Sequence, residues 1–176
     1  IWKDSKVRDL FDSMMRGYPI CYLMLWECPS LDKKKSIGVD AHSYDAPKEV
    51  IIDGQQRLTS LYAVMKGKKV INSKFDEKSI VISYCPLQNK FEVGYQATKN
   101  DPEWIYNISD LFTSTNTFKF TGDFIKKLGD YRSTKGSELT DEEQGLIADR
   151  INSVVNLKSH TLPVFDIKST AEEEDV

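Results

Sequence analysis

The sequence predicts an α+β domain, and three observations carry that prediction. Strand-length apolar runs stand among helical periods of three and four residues. The two kinds are intermixed without the regular alternation that builds a doubly wound parallel sheet. Capping residues and glycines mark where the helices start and stop. A chain of 176 residues buries roughly 70% of its unfolded surface, enough for one core. A single domain over residues 1–176 accounts for everything visible. The chain is 40% hydrophobic and 29% charged, the composition of an ordinary globular domain. No apolar run approaches the roughly 20 residues of a membrane span. No signal-peptide pattern opens the chain either, so a cytoplasmic protein away from the membrane is expected. The net charge of -3 gives no broad basic field for nucleic acid.

In chain order, Ser5 is the expected cap of a first helix carrying Val7, Leu10, Phe11 and Met14, and Gly17 is its stop. Ile20 to Trp26 is almost continuously apolar, as a strand covered on both faces would be. A polar excursion follows from Glu27 to Glu49. Its Lys33, Lys34 and Lys35 read first as solvated surface and second as a DNA contact. Val50 to Ile52 is a strand, and Leu58, Leu61, Tyr62 and Met65 fall on one face of a helix that Gly67 ends. Ser79–Cys85 and Lys90–Tyr95 form a hairpin around Pro86 to Asn89. Asp101-Pro102 turns the chain, and Trp104, Ile105, Ile108, Leu111 and Phe112 supply core.

Thr113 to Thr121 reads as loop. Thr121 caps a short helix with Phe124, Ile125 and Leu128 inward, closed by Gly129 and followed by a polar loop to Leu139. Thr140 to Glu143 is a complete capping box, and its helix carries Leu146, Ile147, Ile151, Val154 and Val155 on one face. Thr161 to Ile167 is a last strand, placed at an edge or bulge by Pro163. The chain starts without Met, and Ser169 to Glu172 announces a helix just before Val176. A fragment truncated at both ends is the expectation. Cys21, Cys28 and Cys85 are odd in number and read as buried reduced thiols of a cytosolic protein. With only His42 and His160 beside them, no zinc-ligand spacing appears.

The chemistry concentrates at one corner, Asp53-Gly54-Gln55-Gln56-Arg57, between the strand and the helix that ends at Gly67. The free N–H groups of a helix's first turn favour an anion there, and Arg57 adds a planar cation matched to phosphate oxygens. A charge-assisted Arg–phosphate bond is worth about 1.5–3 kcal/mol. The helix end adds roughly 0.3–1 kcal/mol. No Walker-type or G-x-G-x-x-G loop is present, so a tight nucleotide site needs further donors. A carboxylate beside a phosphate repels it unless a cation intervenes, which gives Asp53 a role on Mg²⁺ or on a water. The alternative stands beside it: Asp53 caps the helix, and Gln55 and Gln56 are surface residues.

The run Ile52 to Leu61 strongly resembles the D-G-Q-Q-R motif of the GmrSD-type restriction family, in its GmrS-like N-terminal domain. Val7 to Ser13, Arg16 to Ile20, Phe91-Glu92, Asp101 to Ile105 and Ser109 to Phe112 extend the likeness. The resemblance implies a ParB/sulfiredoxin-like mixed sheet flanked by helices, with Asp53, Gly54, Gln55, Gln56 and Arg57 as the site of a nucleoside triphosphate. It implies catalytic parts for Asp53 and Gln56 and a Mg²⁺ role for Asp53. Tyr18-Pro19 would lie near the corner and touch base or sugar, or else simply stop a helix. The implied function is nucleotide-binding and NTPase regulation within a modification-dependent, phage-defence restriction protein. Modified DNA and an HNH-type nuclease domain or subunit would be its partners. A ParB-like DNA-binding or sensing module, or a scaffold for the nuclease, are the alternatives. The family's Pro-x-x-Gln-Arg and Phe-x-Arg-Ile-Asn segments lie outside residues 1–176, so the corner is expected to be one wall of the site. No HNH motif stands in the chain. Gln55 and Gln56 replace the catalytic Cys that a sulfiredoxin would need.

Overall fold

In a computed structural model, residues 1–27, 49–71 and 75–168 are described. Their class is α+β. Helix α1 (Asp4–Met15) opens the chain and buries Val7, Leu10, Phe11 and Met14, the residues its period selects. Lys3, not Ser5, is its N-cap, so Ser5 lies one residue inside the helix. The end is as expected: Gly17 has φ 70°, and Tyr18 N–H donates to Ser13 O at 2.9 Å. That bond, with Gly17 N–H on Met14 O, is a Schellman stop.

Strand β1 (Leu23–Glu27) is shorter than the apolar run that encodes it. Cys21 takes φ 67°, which breaks extended pairing before Leu23 and leaves this thiol exposed, against the expectation of burial. Cys85 is buried as expected, and burial pushes its thiol pKa up. Cys28, His42, the three lysines and the tail from Ser169 lie outside the described residues.

Strand β2 (Glu49–Asp53) pairs antiparallel with β1. Helix α2 (Gln55–Lys66) follows after Gly54 and stops at Gly67, φ 62°. Its buried face is Ser60, Leu61, Ala63 and Val64, rotated from the expected stripe, with Leu58, Tyr62 and Met65 only half-buried. A small ladder joins β3 (Val70–Ile71) and β4 (Glu77–Lys78). The hairpin is β5 (Ile82–Cys85) and β6 (Lys90–Val93), both strands shorter than the sequence suggested.

Helices α3 (Gln96–Asn100) and α4 (Ile108–Thr113) then lead to α5 (Thr117–Thr134). The expected loop up to Thr121 is a helix from Thr117 onward, capped by Asn116, whose side-chain oxygen accepts Lys119 N–H at 2.9 Å. It runs through Gly122 and Gly129 to Thr134, with Leu128 buried and Phe124 and Ile125 partly so. Helix α6 (Asp141–Asn156) starts at the predicted capping box and buries Ile147, Ile151 and Val154, while Leu146 faces solvent. Strand β7 (Val164–Ile167) begins after Pro163.

The main core lies between α1, α2, the hairpin, α4, α5 and α6. Phe11 meets Phe91 at 6.2 Å and Phe112 at 6.0 Å, and Tyr84 meets Phe91 at 4.6 Å. Arg150 of α6 donates to the carbonyls of Pro86 and Leu87, each at 2.7 Å, and so pins the hairpin turn. The three-stranded sheet, in the order β2-β1-β7, contributes no residue to this core. Strand β7 is parallel to β1 and forms an edge, as Pro163 suggested. Among the described residues, no helix is long and apolar enough to cross a membrane.

Candidate functional site

The corner forms where β2 hands over to α2. Strand β2 ends at Asp53, opposite Met24 of β1, and the register slips there because Leu25 pairs with Ile51. Ile52 is the extra residue, a bulge that re-aims the strand end. The antiparallel partner β1 and the parallel strand β7 both begin at this same end, with Leu23 opposite Val164. One end of the sheet therefore gathers the motif, the start of β1 and the start of β7.

Gly54 caps α2 at φ 92°, a left-handed conformation, and is buried. A Cβ there would stand 2.4 Å from Leu23 Cδ2 and 3.3 Å from Arg57 Nη1. Glycine is needed for both reasons: backbone conformation and close approach. Neither Asp53 nor any other side chain caps the helix, so the reading of Asp53 as an N-cap is corrected. The first intrahelical bond at the corner is Leu58 N–H to Gly54 O at 2.9 Å. The N–H groups of Gln55, Gln56 and Arg57 precede it and have no partner within the helix.

The five motif residues are brought together, yet they are not equivalent. Arg57 Nη1 donates to Tyr22 O at 2.7 Å, which ties α2 to the start of β1 and fixes one edge of the guanidinium. Its other donors enter no ion pair among the described residues. Gln55 turns back, its Nε2 donating to Ile51 O at 2.6 Å. Gln55 thus supplies its backbone to the corner while its amide braces the bulged strand. Gln56 and Asp53 are exposed. Asp53 is one accessible carboxylate at the mouth. Among the described residues no group of three or more His, Cys, Asp or Glu side chains could hold a metal ion, so a cation beside Asp53 would take the rest of its shell from a ligand and water. Tyr18, by contrast, serves the α1 stop through its backbone.

Two residues at this end carry no motif. Tyr22 supplies the carbonyl for Arg57, and Leu23 packs where Gly54 lacks a side chain. Both lie inside the apolar run from Ile20, but only strand pairing reveals that they meet Gly54 and Arg57. The sequence matches the family described as GmrSD restriction endonuclease, N-terminal domain, over residues 1–176. The chain belongs to this family. No curated protein matches the chain. Membership in the GmrSD N-terminal family makes this a domain of the restriction, phage-defence class, as the resemblance at Asp53 to Arg57 implied.

Proposed function

We propose that this GmrSD N-terminal domain binds a nucleoside triphosphate at the Asp53–Arg57 corner and regulates a modification-dependent restriction nuclease, hydrolysing the nucleotide when the site is complete. The single observation behind this reading is the buried, left-handed Gly54. It bares the first N–H groups of α2 beside a guanidinium that Tyr22 holds in place. Arg57 and the backbone of Gly54, Gln55 and Gln56 contact phosphate. Asp53 holds Mg²⁺ or orients water, and Gln56, exposed at the mouth, helps to place that water. Modified DNA and an HNH-type nuclease domain or subunit are the partners such a regulator serves.

Titration of the full-length protein with labelled ATP, GTP and CTP tests the site. Arg57→Ala is expected to weaken the preferred nucleotide by roughly 10- to 100-fold, the loss of one charge-assisted bond. Arg57→Lys keeps the charge without the fork and should fall between. Equal binding by wild type and Arg57→Ala removes the corner from consideration. DNA retention that depends on salt but not on nucleotide would favour the ParB-like DNA-binding or sensing module instead.

A further inference from the structure

The end of the sheet that carries the corner also carries an aromatic pair with no part in the core. Tyr22 and Phe165 meet edge to face, their ring centroids 4.8 Å apart and their planes at 80°. Both are exposed, Tyr22 at 39% and Phe165 at 56% of full accessibility. An edge-to-face pair is a stable arrangement that holds each ring in a defined orientation. It also leaves aromatic face open to solvent, which is costly for apolar surface unless something covers it. The pair is coupled to the corner by covalent and hydrogen-bond connections. Tyr22 O accepts the Arg57 hydrogen bond and lies 3.5 Å from where a Cβ on Gly54 would sit. Phe165 is held at the same end because β7 starts parallel to β1, pairing with Met24, the residue that also faces Asp53.

We propose that Tyr22 and Phe165 are the platform for the nucleobase of the nucleotide whose phosphates the corner holds; this rests on the nucleotide reading above. A ribose alone separates phosphate from base in such a ligand. Tyr22, whose backbone carbonyl anchors Arg57, carries one ring of the pair, which puts the pair on the segment adjoining the phosphate corner. Every base has a π-face, so the platform favours nucleotides over inorganic phosphates while discriminating weakly between bases. It also supplies the further affinity that one arginine and one helix end lack.

Calorimetric titration of the full-length protein with ATP, GTP, CTP and UTP, and separately with inorganic tripolyphosphate, tests the platform. Phe165→Ala should weaken nucleotide binding about tenfold, as loss of a stacking contact does, and leave tripolyphosphate affinity unchanged. Phe165→Trp should restore nucleotide binding, with its indole fluorescence quenched on addition. The platform is overturned if Phe165→Ala binds nucleotide like wild type, or if it weakens nucleotide and tripolyphosphate equally. If Arg57→Ala weakens both ligands while Phe165→Ala weakens neither, the platform falls and the corner stands. If wild type binds none of the four nucleotides, both readings fall.

Discussion

The two parts of this domain are held together by different means. In the main core, side chains from helices and hairpin interlock, with Phe11, Tyr84, Ile108, Leu111 and Ile151 fully buried. The sheet of β2, β1 and β7 contributes no residue to that cluster, and Leu23 is its one buried side chain among the described residues. The sheet is organised by backbone ladders, one left-handed glycine and the Arg57–Tyr22 bond. Segments that bind ligands come from the less stable end of a structure, where opening is cheap. The contrast separates the part that makes the domain fold from the part that carries the candidate site.

The largest effect expected is in the core. Phe11→Ala removes a fully buried ring from between Phe91 and Phe112 and should cost about 3–5 kcal/mol in urea denaturation. The same truncation at Phe165, on the exposed edge strand, should stay within about 0.5 kcal/mol. Similar losses at the two positions would break the contrast.

Gly54→Ala comes next and sharpens it. A residue with a Cβ at φ 92° is strained, and the added carbon meets Leu23 Cδ2. The expected loss is about 1–3 kcal/mol, with nucleotide binding lost along with it because Arg57 Nη1 is also crowded. If Gly54→Ala unfolds at the wild-type urea midpoint, the left-handed turn and its close contact with Leu23 contribute nothing to the stability of the corner.

The same division explains what was legible in the sequence. The strand, Gly54 and α2 could be read because each residue obeys a local rule, and the Thr140 capping box for the same reason. The start of α5 could not. Thr117 to Thr121 has weak helix propensity and Gly122 breaks the pattern, yet Asn116 caps the helix and burial of Leu128 holds it. The rotation of the buried face of α2 onto Ala63 and Val64 was also hidden, since small residues become core only where a neighbouring element comes close. Of the candidate site, the five motif residues were visible. The ring pair of Tyr22 and Phe165, proposed as its platform, was not, because the parallel pairing of β1 with β7 joins residues far apart in the chain.

The smallest effect expected concerns acid, and it belongs to the core side. The Glu143 carboxylate closes the capping box by accepting Thr140 N–H at 3.0 Å, and it pairs with Arg132 at 2.8 Å. The Thr140 backbone bond, then Arg132, hold its pKa below the ordinary carboxylate value of 4.5. On β6, Glu92 is lowered likewise, chiefly by Lys90 and then by Arg8. A carboxylate lowered in the folded state stabilises fully above its unfolded pKa and stops doing so as pH falls through the folded value. Stability should therefore be flat near neutrality and begin to fall below about pH 4.5. Glu143→Gln keeps a side chain able to complete the box, so it should lose a little stability at pH 7 and fall less steeply in acid. Urea midpoints at pH 7, 5, 4 and 3 read this directly. Parallel acid limbs for the two proteins would assign the proton uptake to other carboxylates.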